Sequence, residues 1–366
     1  MQLSPGAKRR NRLWLMVVFL LLVRVSADDL AAAAPDGPTR ARSLILVIAD
    51  GMGIGQHTLA YYFGSRYPLA RFEHVGLMTT HPAVRERVTD SGAAATALAT
   101  GHKTDNAVIG MDAAGNRVET VLEAAESVGM VTGLVSTAAI TDATPAAFAA
   151  HVPNRGLQEE IARQMTAAGI EVLLGGGRKY FTTDAAGNDL LKGLASRGVQ
   201  VVHELADVQA DERPLLGLFA GGEMPVPPRR TPTLAAMTAV ALDRLKGHPQ
   251  GFFLLIEDEG TDTQSHRNNT AGVLAALDDV MATVETLLDY QATHPEVLLI
   301  FTGDHETGGL MLNGKGSRPG QLKWTTHGHT GNFLPIFASG PGSAAFDALL
   351  DNTEVGQLLL DFIRQP

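Results

Sequence analysis

Uninterrupted apolar runs, each leading to an acidic residue, restrict the fold more than any other feature of this sequence. Leu44-Ile45-Leu46-Val47-Ile48-Ala49 leads into Asp50, Phe252-Phe253-Leu254-Leu255-Ile256 into Glu257, and Val297-Leu298-Leu299-Ile300-Phe301 into Thr302-Gly303-Asp304. A strand apolar at every position, rather than at alternate ones, is buried on both faces. Further strands are predicted at 130–137, 172–174, 199–202, 215–220 and 334–338, and helices over 158–168, 233–245, 271–290 and 355–363. Strands alternating with helices imply an α/β fold of three layers, α/β/α, around a central, mostly parallel sheet. In such folds the site lies beyond the carboxyl ends of the strands, where Asp50, Glu257 and Asp304 stand. One strand-end aspartate is an ordinary turn residue. Three carboxylates brought to one sheet edge by separate strands point to a shared metal centre.

The turn after the first run, Asp50-Gly51-Met52-Gly53-Ile54-Gly55-Gln56, is rich in glycine. It is not a dinucleotide fingerprint, which needs a third glycine where Gln56 stands. A second stretch, Thr89-Asp90-Ser91-Gly92-Ala93-Ala94-Ala95, opens a run of small helix-favouring residues. It places Ser91 at a helix N-terminus, beside backbone N–H groups without intrahelical partners and at the positive end of the dipole. That environment holds an anion, phosphate above all. Serine is also a favoured N-cap, so this stretch alone does not separate a nucleophile from a cap.

The chain has no cysteine, so any metal must be held by His, Asp and Glu. Lys8, Arg9, Arg10 and Arg12 precede the apolar run 13–23, and Val25-Ser26-Ala27 has the small residues a signal peptidase accepts. This run is short for a membrane span, which takes roughly 20 residues. It reads as an export signal over 1–27, cleaved after Ala27, with an uncleaved anchor as the alternative. Residues 28–42 read as a flexible lead-in and 43–366 as a single catalytic domain, periplasmic or secreted. Loss of five basic residues and no acidic ones takes the formal net charge from −10 to −15. An acidic surface repels nucleic acid, so no nucleic-acid binding is expected. An anionic substrate then needs local positive charge, which bound metals supply.

Asp262 and His266 are four residues apart, which puts them on one helical face. His305 follows Asp304, and His329 lies in a glycine-flanked turn, Gly328-His329-Thr330-Gly331. Imidazole mixed with carboxylate, without thiolate, suits zinc.

These stretches, with Asp142-Ala143-Thr144-Pro145 and Arg155, resemble the alkaline phosphatases, in family order and over most of the chain after the export signal. The resemblance implies hydrolysis of phosphate monoesters, with broad specificity, through a phosphoserine on Ser91. It implies that Asp262, His266 and His329 bind one Zn2+ and that Asp50, Asp304 and His305 bind a second beside Ser91. Asp50 would bridge to a third ion, usually Mg2+, completed by Thr144 and Glu257, with Asp142 acting through water. Arg155 would grip phosphate oxygens, and a homodimer is the expected assembly. Two metals roughly 4 Å apart can clamp the entering and leaving oxygens in line. Thr263 departs from the family, which often carries Lys or His there, and this leaves phosphate affinity and the third metal open. Rival readings are a phosphodiesterase or sulfatase of the same superfamily and a non-catalytic phosphate- or metal-binding envelope protein. The physiological substrate is not legible.

Overall fold

The computed structural model describes residues 43–84, 87–313 and 322–365; the export segment and lead-in expected over 1–42 lie outside the described residues. In chain order the first half reads β1 Ser43–Ala49, α1 Ile54–Phe63, β2 His74–Thr79, α2 Ser91–Thr100, α3 Val121–Ser127, β3 Val131–Ala139, α4 Ala143–Ala149, α5 Gln158–Ala167 and β4 Val172–Gly176. There follow α6 Leu190–Ser196, β5 Gln200–Val202, β6 Leu215–Leu218, α7 Leu234–Leu245, β7 Phe252–Asp258, α8 Gly260–His266, α9 Thr270–Thr293 and β8 Val297–Thr302. Short strands come next, β9 Glu306–Thr307, β10 Met311–Leu312, β11 Leu322–Lys323 and β12 His329–Thr330, before β13 Leu334–Ser339, β14 Leu349–Asp351 and α10 Asn352–Arg364.

Ten strands form one sheet in the order β14-β2-β13-β8-β1-β7-β3-β4-β6-β5. The apolar runs β8, β1 and β7 lie side by side at its centre, with β3 next to β7, all parallel. Every residue of β1, β7 and β8 is buried. Successive side chains of a strand point to opposite faces, and β1 divides accordingly. Leu44, Leu46 and Ile48 join a core with residues of α2, α3, α4, α5 and α10. Ile45, Val47 and Ala49 join a second core with residues of α1, α7 and α9. The expected three-layer α/β/α fold with a mostly parallel sheet is thus observed; β13 runs antiparallel to both neighbours.

In register, Ile48 of β1 lies between Glu257 and Thr302. The three central strands therefore stop at one level, and Asp50, Glu257 and Asp304 emerge together. Helix α2 is buried at all ten positions. Its alanines and glycine let it pack closely on α4 and α10. Among the described residues no helix is long and apolar enough to cross a membrane.

Candidate active site

Ser91 owes its freedom to its neighbour. Asp90 is the N-cap of α2: its Oδ1 accepts from Ala93 N at 2.9 Å and its Oδ2 from Ala107 N at 3.0 Å. Ser91 is the first helical residue, not the cap, so its hydroxyl is left for other work. That hydroxyl is buried, 3.2 Å from His305 Nε2. The same Nε2 lies 3.4 Å from Asp50 Oδ1 and 3.3 Å from Asp304 Oδ2. Both carboxylate oxygens are buried without a hydrogen bond. An uncompensated buried charge costs several kcal/mol, and a divalent cation among these atoms removes that cost.

The imidazoles are set by their outer nitrogens. Thr307 Oγ1 donates to Asp262 Oδ1, so toward His305 Nδ1, 3.2 Å away, it acts as acceptor. Nδ1 of His305 then carries the proton and Nε2 offers its lone pair inward. Burial first, and His329 after it, push His305 down to about 4, so the ring is neutral at pH 7 and fit to ligate. His329 Nδ1 meets Thr89 O at 2.9 Å, and His266 Nδ1 meets the His327 carbonyl. Each ring nitrogen bonded to a carbonyl must be N–H. The two Nε2 atoms, 3.1 Å apart, can share only one proton or one cation. Asp262 lies against them, 3.2 Å from His266 and 3.8 Å from His329.

Local folding explains the placements. Asp262 and His266 sit one turn apart on α8, as their spacing predicts. His329 is held in register opposite Thr307 by pairing of β12 with β9. Gly51 has φ +71°, and a Cβ there would come within 2.8 Å of Asp262 Oδ1, so only glycine lets the two turns approach.

Three groups result: Asp262, His266 and His329; Asp50, Asp304 and His305; and Asp50, Glu257 and Glu259, each with its ligand atoms within 4.8 Å of one another. Asp50 belongs to two of them. Burial, then Asp304, raises Asp50 well above the usual carboxylate range, and burial pushes Glu257 up to about 8 against the Ser136 hydroxyl that binds it. Burial, then Asp262, raises Glu259. Carboxyl groups this crowded cannot all ionise unless a cation joins them.

Thr144 is buried at the start of α4, its hydroxyl turned toward the Glu257 carboxylate. Asp142 is not a member of the three groups, although its charge acts on both Glu257 and Glu259. It caps α4 and accepts from Arg155 at 2.8 Å, while Arg155 also reaches Asp90 at 3.3 Å. Burial would lower the guanidinium's pKa, but Asp142 and Asp90 outweigh it and raise it. Ser91, Asp50, Asp304, His305, Asp262, His266, His329 and Glu257 thus converge at the end of the sheet, with Arg155 held beside Asp90. Sequence reasoning misses Glu259, Thr307 and the capping role of Asp90. The signal for Glu259 was alternation: in Glu257-Asp258-Glu259 the outer two share a side and Asp258 turns to Arg230, 2.8 Å away on the other.

The alkaline phosphatase family model matches residues 41–319. The chain is 32% identical to the alkaline phosphatase of Escherichia coli strain K12, over 91% of this chain and 88% of that one. It is 34% identical to the streptomycin-6-phosphate phosphatase of Streptomyces griseus, over 92% and 93%. The crystal structure of alkaline phosphatase from the Antarctic bacterium TAB5 matches with a TM-score of 0.82 at 32% identity, covering 89% of this chain and 99% of that one. A variant of that enzyme carries Mg in its M3 site. Fold, sequence and the converging strand ends agree, and the chain belongs to the alkaline phosphatase family of metal-dependent phosphomonoester hydrolases.

Proposed function

We propose that this phosphatase works through a covalent phosphoserine on Ser91, at a site for two Zn2+ and one Mg2+, with broad specificity for phosphate monoesters. The observation that carries the reading is the meeting of Ser91 Oγ, His305 Nε2 and the two unpartnered oxygens of Asp50 and Asp304. Asp262, His266 and His329 would hold one zinc and Asp50, Asp304 and His305 the other. Asp50, Glu257 and Thr144, with Asp142 through water, would hold magnesium. When bound, these ions supply Lewis acidity that lowers the proton affinity of the nucleophile and offsets charge on the leaving oxygen.

The chain's own residues do the rest. Ser91 Oγ gives up its proton and attacks phosphorus; the Oγ–P bond forms, the ester P–O bond breaks, and the alcohol leaves with a proton. Water then attacks the phosphoserine, the Oγ–P bond breaks, Oγ is reprotonated, and inorganic phosphate departs. Arg155 presents a planar fork to two phosphate oxygens, and Asp90 and Asp142 hold that fork in place. The positive end of the α2 dipole favours the same anion.

The test compares p-nitrophenyl phosphate with its diester, with and without chelator. Monoester hydrolysis that chelation abolishes supports the reading, preferential diester hydrolysis moves it to the rival phosphodiesterase, and hydrolysis of neither by metal-loaded protein favours a binding role. Ser91→Ala is expected to lose roughly 10³-fold or more in kcat, with no phosphoserine and zinc retained. We further propose a homodimer and export. Ile54, Tyr61, Tyr62, Val75 and Leu77 form an exposed apolar patch of the kind that marks association surfaces. Sedimentation of the wild type against Tyr61→Asp tests the dimer, and N-terminal sequencing of the secreted protein tests cleavage after Ala27.

A further inference from the structure

We propose that Glu259, oriented by Thr263, is a direct ligand of the third cation, which makes that site an all-oxygen cage of three carboxylates for a hard divalent ion. The inference rests on the phosphatase reading above and adds a ligand to it. Glu259 follows the last residue of β7 and begins α8. Its backbone is fixed, since its N–H donates to Thr137 Oγ1 at 2.9 Å. Its side chain is fixed as well, since Thr263 Oγ1, one helical turn on, donates to Oε1 at 2.9 Å. An oxygen of Glu259 lies within 4.8 Å of oxygens of both Asp50 and Glu257.

The geometry of the cluster calls for a positive partner. Asp50 Oδ1 is buried without a hydrogen-bond partner, in a residue only 1% exposed, and the equally buried Thr144 hydroxyl is turned toward Glu257. Thr263, which departs from the family, has a function of its own here: it positions an extra carboxylate.

The donor set also selects the ion. The other two groups each contain imidazole nitrogen, which suits zinc. The third contains none. Asp50, Glu257, Glu259 and the Thr144 hydroxyl offer oxygen alone, the preference of Mg2+ and Mn2+.

The experiment uses the full-length protein loaded with Zn2+, then titrated with Mn2+ and followed by electron paramagnetic resonance, with zinc counted by elemental analysis. Glu259→Gln is expected to weaken Mn2+ at least 10- to 100-fold, since even outer-sphere changes cost that much, while two zinc ions per chain remain. Thr263→Val, which frees the carboxylate without removing it, is expected to weaken Mn2+ by a smaller factor and guards against a fold defect in the first variant. Wild-type Mn2+ affinity in both variants would overturn the role of Glu259 while leaving the phosphatase reading intact. A wild-type protein that binds no zinc and cleaves no p-nitrophenyl phosphate would instead remove the reading beneath it.

Discussion

At Arg155 the two carboxylates that hold the guanidinium also set what its loss does. Arg155→Ala removes the fork offered to phosphate and leaves Asp90 and Asp142 facing each other's charge. With charge-assisted bonds contributing about 1.5–3 kcal/mol, kcat/KM for p-nitrophenyl phosphate is expected to fall roughly 10- to 100-fold, which steady-state kinetics will show. His57 supplies a second prediction. It is buried against Phe301 and Phe337, with Nδ1 3.1 Å from the Tyr67 hydroxyl and Nε2 unpartnered. Burial lowers it from 6.5 to about 3. Between those values the unfolded chain holds the extra proton, so the contribution of His57 is complete above pH 6.5 and is lost as pH falls toward 3. The effect is on the order of a few kcal/mol across the window. Thermal unfolding at pH 7.5 and 5.5 is expected to show a smaller acid penalty in His57→Gln than in the wild type.

Among the elements, α2 and α10 approach so closely that side-chain size decides their packing. A Cβ at Gly356 would come within 2.4 Å of Ala97 O and 2.6 Å of Gly101 N. Gly356→Val is therefore expected to pry α10 from α2 and cost about 1–3 kcal/mol, read as a shift in the denaturation midpoint. The loop before α7 supplies a different clamp. Arg230, buried, donates to Asp258 at 2.8 Å and Asp279 at 2.9 Å, joining the end of β7 to α9. Asp258 Oδ2 in turn accepts from the N–H of Thr261 at the start of α8. Arg230→Ala, which strands two buried carboxylates, is expected to cost about 3–5 kcal/mol and to lower Tm more than any surface arginine change does. The central strands were legible because burial on both faces demands apolar residues at every position. Strand β2 was not. Val75 and Leu77 are exposed, and the run His74–Thr79 carries neither a continuous nor an alternating pattern. Helix α1 was hidden too: glycine supplies its N-cap, so the usual polar start signal is missing. Seven of the proposed ligands, Asp50, Glu257, Asp304, His305, Asp262, His266 and His329, sit at strand ends, on one helical face or in a glycine turn, and such positions can be read in sequence. Thr307 acts on Asp262 and His305, and its pairing with Asp262, 45 residues away in the chain, is set only by the tertiary fold.

For the whole molecule, the site and the fold share one electrostatic problem. Glu257 is pushed up to about 8 from 4.5, so its folded value exceeds the unfolded one. Stability from this group is full below pH 4.5 and is lost as pH rises through 8. Metal-free protein is accordingly expected to become less stable across that range, and metal-loaded protein is not, because the ions displace the protons. Melting curves with and without chelator from pH 5 to 9 test this. The strand order has a consequence of another kind. Strand β2 is made early, yet its partners are β13 and β14, from the far end of the chain. While a ribosome adds about 5–20 residues per second, residues 74–79 wait with their peptide groups unmatched until 334–351 have emerged. Premature termination before Leu334 would therefore yield more than an inactive fragment: it would release a half-zipped sheet with an adhesive border, material for chaperones and proteases to clear.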